Sequence, residues 1–130
     1  MATIPESHQD LLKADVAMLA TIGPDRFPQV TALWFLFEDG MVKLSLNTAR
    51  QKMKNLRAHP ECSFFILDPA DPYRTLEIRA RAEITPDADY AFAKRVGLKY
   101  GGFDVSSNDR PGETRAVVSL RPIKVNTYGK

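Results

Sequence analysis

Cysteine is nearly absent from this 130-residue chain: Cys62 stands alone in the apolar run CSFFILD, so no disulfide can form within the chain. A buried thiol in a reducing compartment is the expectation. Long apolar runs are missing as well. None approaches the roughly 20 residues that a membrane-spanning helix needs, and the amino terminus MATIPESHQD has no apolar signal region. The expected protein is therefore soluble and cytoplasmic. No Walker loop, GxGxxG or GxSxG occurs, which removes the P-loop, Rossmann and nucleophile-elbow hydrolase readings. His8 and His59 are isolated and no Cys/His cluster has ligand spacing, so no metal is expected. Acidic residues are absent from one whole interval. Between Asp39 and Glu61 there is none, while Lys43, Arg50, Lys52, Lys54 and Arg57 all fall inside it. A net charge of only +2 makes no case for nucleic acid or an anionic membrane. The acid-free interval does make a case for a local anion site.

The length suits one domain, residues 1–130, with a core that needs no disulfide or structural metal. Residues 5–15 read as a short helix, and VAMLATI (16–22) as a strand. QVTALWFLFED (29–39) reads as one longer strand, followed by an Asp39-Gly40 hairpin into MVKLSLN. On that second strand Val30, Ala32, Trp34 and Leu36 share one face, and Leu33, Phe35 and Phe37 the other. Both faces are apolar toward its end, so another layer or another subunit must cover the second one. CSFFILD and RAVVSLRP have the same two-sided character. TLEIRARAEI (75–84) instead alternates, with Leu76, Ile78, Ala80, Ala82 and Ile84 inward. PDADYAFAKRVGLKYGG (86–102) reads as a helix from Pro86 to the Gly101-Gly102 stop. The polar stretch 103–114 is then a surface loop and a candidate lid, and RAVVSLRP and IKVNTY are two closing strands. Together these elements imply a mainly β protein, a barrel core with a subunit interface.

The segment SLNTARQKMKNLRAHP carries the chemistry. Thr48 and Gln51 form a capping-box pattern that starts a helix at Ala49. Arg50 and Lys52 then fall in the first turn, where the positive end of the helix dipole meets two more positive charges. A bound anion removes that conflict: free N–H groups at the helix start, the Thr48 hydroxyl and two cationic side chains make a phosphate site. Thr48, Lys52 and Asn55 share a face, Arg50 has to reach across to them, and Met53 and Leu56 point inward. A basic run of this kind also fits a solvated helix face. Trp34, Tyr73, Tyr90 and Tyr100 could stack on a planar ligand or simply pack.

The order of motifs, LATIGPDRFPQVTALWF, a DG hairpin and then NTARQKMKNLRAHPECSFFILDPADPYRTLEIRARAEI, resembles the pyridoxamine-phosphate-oxidase-like split β-barrel superfamily. Within it the chain most resembles the actinobacterial class of deazaflavin (coenzyme F420) dependent oxidoreductases, through its R-x-K-x-x-N-L turn and DPYR-x-LE-x-R-x-x-AE segment. The resemblance implies a six- or seven-stranded antiparallel Greek-key split barrel of the FMN-binding type. It also implies a homodimer with two cofactor clefts at its interface. It places Arg50, Lys52 and Asn55 on the cofactor phosphate, with Ser45, Thr48 and Gln51 as helpers. Val30, Thr31, Ala32 and Leu33 would lie along the tricyclic ring, and Tyr73, Arg74 and Thr75 would approach from the partner subunit. Lys54 and Arg57 would suit the polyglutamate tail of the deazaflavin. The arginine and histidine set that handles pyridoxamine phosphate near the carboxyl terminus is not found, which argues against vitamin B6 oxidation. The implied activity is hydride transfer from reduced coenzyme F420 to a small conjugated or heterocyclic substrate. FMN as the cofactor, and a non-catalytic carrier of either cofactor, are the alternatives. No catalytic residue is assigned, and Tyr73 is the best side-chain candidate for a proton donor.

Overall fold

A computed structural model describes residues 2–130. After a 3-10 helix over Glu6–Lys13 come β1 (Ala17–Ile22), β2 (Pro28–Leu33), β3 (Leu36–Glu38) and β4 (Met41–Asn47). Then follow α1 (Gln51–Ala58), β5 (Glu61–Asp68), β6 (Asp71–Pro86), α2 (Ala91–Lys99) and β7 (Arg115–Tyr128). The strands form one seven-stranded sheet in the order β2-β1-β5-β6-β7-β4-β3, antiparallel throughout. Strands β2 and β3 lie at opposite ends of this order, yet only Trp34 and Phe35 separate them in the chain. The sheet must therefore curl until its two edges meet, which closes it into a split barrel. Phe35, Leu44, Phe64, Leu76, Val118 and Leu120 fill the interior with no exposed surface. Among the described residues no helix is long and apolar enough to cross a membrane.

That closure corrects the reading of residues 29–39 as one strand. Val30, Ala32 and Trp34 do share an exposed face, but the alternation breaks after buried Phe35, leaving Leu36 half-buried and Phe37 exposed. A break exposes backbone groups that need partners, and the KYGG segment supplies them. The Tyr100 hydroxyl accepts the Phe35 N–H at 3.1 Å and donates to the Asp15 carbonyl at 2.7 Å. Lys99 Nζ donates to the carbonyls of Ala14 (2.7 Å) and Phe35 (3.0 Å) and sits 3.8 Å above the Phe35 ring.

Two other boundaries move. Pro86 ends β6 rather than starting a helix, and α2 begins only at Ala91. Asp87 explains the delay: its two carboxylate oxygens accept the N–H groups of Phe92 (3.1 Å) and Ala93 (2.9 Å), capping the helix at that point. At the other end RAVVSLRP and IKVNTY are one strand, because Pro122 sits beside a bulge. Opposite Arg79 and Ala80 stand Lys124 and Pro122, so Ile123 has no partner and the missing proline N–H breaks no ladder. The Asp39-Gly40 hairpin forms as expected, both residues at positive φ (56° and 74°) as a type I′ turn requires. The alternating face of β6 and the inward Met53 and Leu56 also agree with the sequence. Cys62 packs in the core, where burial pushes its thiol up to about 12, out of reach of nucleophilic chemistry.

Candidate functional site

The acid-free interval folds into a strand-to-helix junction. Asn47, the last residue of β4, accepts the Ala49 N–H on Oδ1 at 2.9 Å, which turns the chain out of the strand. Arg50 is extended (φ −74°, ψ 150°) and α1 begins at Gln51, with no side chain capping it and no acid in its first turn. The capping box is thus corrected. Thr48 points to the end of loop 103–114, its hydroxyl 2.7 Å from that of Thr114, and Gln51 donates to Asn55 Oδ1 at 2.8 Å rather than reaching back. Asn47 already turns the chain, so Thr48 is released from the helix end and the helix starts after Arg50.

Asn55 is buried. Its amide nitrogen donates to Thr21 Oγ1 (3.0 Å) and Gln29 Oε1 (3.1 Å), which ties α1 to β1 and β2. Lys52 points along the outside of this junction and donates to Thr31 Oγ1 at 3.1 Å. Burial, and then the like charge of Arg50, hold its ammonium below the ordinary lysine range. Among the described residues neither Arg50 nor Lys52 has a carboxylate partner.

Both cations line one cleft of about 310 Å³. Ser45, Asn47 and Arg115 complete its polar wall, and Leu33, Trp34, Val96 and Val105 its apolar wall. Trp34, the sole tryptophan, stacks on Tyr100 at 4.0 Å and 6° with Phe103 edge-on at 5.5 Å. Of the residues expected on the site, Ser45, Arg50, Lys52 and Leu33 meet here, and Thr31 touches Lys52. Val30 and Ala32 are exposed on β2, an edge strand paired only with β1. Tyr73, Arg74 and Thr75 lie elsewhere, on the first residues of β6. Tyr73 is 81 % exposed, Thr75 is half-buried, and Arg74 is bound within its own protomer by Asp10, Asp68 and the Ser7 carbonyl.

Sequence reasoning missed Asn47 and Arg115. Arg115 makes a bidentate pair with Asp109 (2.8 and 2.9 Å), and both side chains are about nine-tenths buried. Asn47 Nδ2 donates to Asp109 and Glu113 at 3.1 and 3.0 Å. Loop 103–114 is therefore tied down over the cleft rather than free. Only the lone Arg115 at a strand start hinted at this, since its partners join it through the fold. A larger cavity of about 650 Å³, lined by Ile4, Leu12, Lys13 and Phe37 among others, contains none of the expected site residues. A pair of cations without a direct salt-bridge partner decides in favour of the smaller cleft.

The family model described as pyridoxamine 5'-phosphate oxidase matches residues 4–129. The chain belongs to that family. Among solved structures, one described as an F420 reductase is 33 % identical, covering 95 % of this chain and 98 % of its own, with a TM-score of 0.82. A conserved hypothetical protein from Mycobacterium tuberculosis is 26 % identical (97 % and 85 % covered, TM-score 0.77). HupZ from group A Streptococcus, 20 % identical (96 % and 94 % covered, TM-score 0.71), shares the fold. No curated protein matches the chain. Membership in the pyridoxamine 5'-phosphate oxidase family agrees with the seven-stranded split barrel, and the match spans the residues of both walls of the cleft.

Proposed function

We propose that this protein is an oxidoreductase that binds a flavin-type coenzyme, coenzyme F420 in the first place, by its phosphate at Arg50 and Lys52. The observation that carries the reading is the pair of cations lining one cleft with no carboxylate in ion-pair contact among the described residues; Asp109 and Glu113 act on Arg50 only at longer range, and both are already bonded elsewhere. Two adjacent positive charges, one half-buried, are costly without a counterion. A phosphate fits that donor set. The similarity to an F420 reductase at 33 % identity over nearly the full chain supports the deazaflavin over FMN. When bound and reduced, a deazaflavin supplies a hydride to an electron-poor double bond of a small conjugated or heterocyclic substrate.

The chain's own residues bind, orient and exclude water. Lys52 and Arg50 anchor the phosphate, Ser45 adds a hydroxyl, and Asn55 and Gln51 hold α1 so that both cations face one way. Thr48 ties the same turn to Thr114 at the end of loop 103–114. The free edge of β2, Val30 to Leu33, offers unpaired backbone groups along which a planar ring lies. Exposed Lys54 and Arg57 extend the positive surface toward an acidic tail. Exposed Phe27, Val30 and Ile123 give a homodimer an apolar face to cover, and Tyr73 and Thr75 then approach the ring from the partner side, with Tyr73 as the candidate proton donor.

Titrating pure protein with coenzyme F420 and with FMN tests this, comparing the natural chain with Lys52→Ala and Arg50→Ala. Loss of a charged phosphate contact is expected to cost about 1.5 to 3 kcal/mol, roughly tenfold or more in affinity. Equal affinity in all three proteins would sink the phosphate assignment. Binding without oxidation of the reduced cofactor by any of a panel of quinones and enones would favour a carrier.

A further inference from the structure

Ser45 and Arg115 share a wall of the cleft with the two unpaired cations, but Arg115 is not a third anion-binding group. A guanidinium has five N–H groups. Arg115 makes five hydrogen bonds: two to Asp109, one to the Val105 carbonyl (2.7 Å), and two to the carbonyl (3.3 Å) and Oγ (3.2 Å) of Ser45. Its charge is already matched by the Asp109 carboxylate, both side chains being about nine-tenths buried. What it leaves unmatched is the proton of its neighbour. A serine hydroxyl has one hydrogen to donate and two lone pairs. Arg115 occupies a lone pair of Ser45 Oγ, and among the described residues that hydroxyl donates to no protein acceptor.

Resting on the phosphate reading above, we propose that Arg115 is a positioning residue. It holds Ser45 Oγ as an acceptor and so aims the Ser45 hydroxyl hydrogen at the phosphate of the bound coenzyme. Asp109 fixes the guanidinium plane and Val105 its outer edge, which makes loop 103–114 part of the aiming device. Lys52 treats Thr31 in the same way, donating to its Oγ1 at 3.1 Å. Each cation thus prepares a neutral donor beside it.

The test is a double-mutant cycle read as binding of coenzyme F420 against its phosphate-free riboside, with FMN against riboflavin as a second pair. Ser45→Ala is expected to weaken the phosphorylated ligand about five- to tenfold and leave the phosphate-free one unchanged. Arg115→Lys should do the same, and the two together should lose no more than about twofold beyond either alone, because both remove one contact. Losses that multiply, or that fall equally on both ligands, overturn the proposal. If Arg115→Lys does not fold, the joint replacement Asp109→Leu with Arg115→Met leaves no buried charge alone and completes the same cycle. Lys52→Ala separates the two readings. If it lowers phosphate preference and Ser45→Ala does not, only the aiming role fails; if the natural chain has no phosphate preference, both readings fail.

Discussion

The cleft has two cationic sides, and they are built in opposite ways. Arg115 is buried against Asp109, with every donor used inside the protein. Among the described residues Arg50 and Lys52, on α1 and its lead-in, have no carboxylate in direct contact, Asp109 and Glu113 reaching Arg50 only through space, and Lys52 is held below its ordinary range by burial and by Arg50. A charge neutralised by the protein serves the fold first and reaches a ligand only through a neighbour, as Arg115 does through Ser45. A charge left without a counterion raises the free energy of the empty protein, and only a ligand relieves it. Substitutions on the two sides should therefore differ in stability: loss on the Arg115 side and none on the Lys52 side.

The largest effect is expected at Arg115. Arg115→Ala leaves Asp109 buried beside a cavity and unties loop 103–114, at a cost of about 3 kcal/mol. Urea denaturation should show the midpoint falling with little change in slope. A loss under about 1 kcal/mol would mean that the pair behaves as an exposed ion pair, and the contrast would collapse. Lys52→Ala should do the reverse. It removes a half-buried cation next to another, so the empty protein keeps its stability or gains slightly, while affinity for the phosphorylated coenzyme falls by about 1.5 to 3 kcal/mol. Calorimetry with and without ligand separates the two quantities. Equal losses in both would make Lys52 a structural residue.

These two sides were not equally legible in the sequence. Arg50 and Lys52 announce themselves through local pattern, two cations at a helix start in an interval without acids. Arg115 and Asp109 lie only six residues apart, but their link to Asn47 and Ser45 spans more than sixty, and no local rule reaches that far. Asn55 was readable as part of the turn, yet its burial was not, since its partners Thr21 and Gln29 come from β1 and β2. The barrel followed from alternation wherever one face was polar, as on β6. It failed at Trp34-Phe35, where both faces are apolar and a change of parity leaves no trace. Pro86 with its following acids looked like a helix start because Asp87 is indeed a cap, one that acts five residues downstream.

A smaller effect separates the sides by pH. The Lys52 ammonium in the folded, ligand-free protein is held below the ordinary lysine value, so between these two values the unfolded chain binds more protons. Stability from this group therefore rises with pH across that window. Affinity for a phosphate moves the opposite way, falling as the pH rises through the lowered value and the ammonium is lost. For FMN, a phosphate monoester, affinity also declines below about pH 6 as the dianion takes up a proton. Binding curves for natural protein and Lys52→Arg across this range check the sign: arginine stays charged, so its alkaline decline should vanish. A decline that persists in Lys52→Arg would assign the titration to another group.

The smallest effect is expected at Arg74, which resembles Arg115 in its partners but lies far from the cleft. It is bound by Asp10 and Asp68, and Asp10 is largely exposed, so solvent already screens part of that pair. Arg74 holds Asp10 below the ordinary carboxylate range, so whatever this contact adds to stability is present at neutral pH and disappears as pH falls through that lowered value. Arg74→Gln should accordingly lower stability slightly at pH 7 and not at all in strong acid. It should leave coenzyme affinity unchanged if the guanidinium serves only its contacts with Asp10, Asp68 and Ser7. A clear loss of affinity in a protein of unchanged fold would show instead that Arg74 leaves Asp10 to contact the coenzyme, and that a neutralised cation can touch the ligand directly.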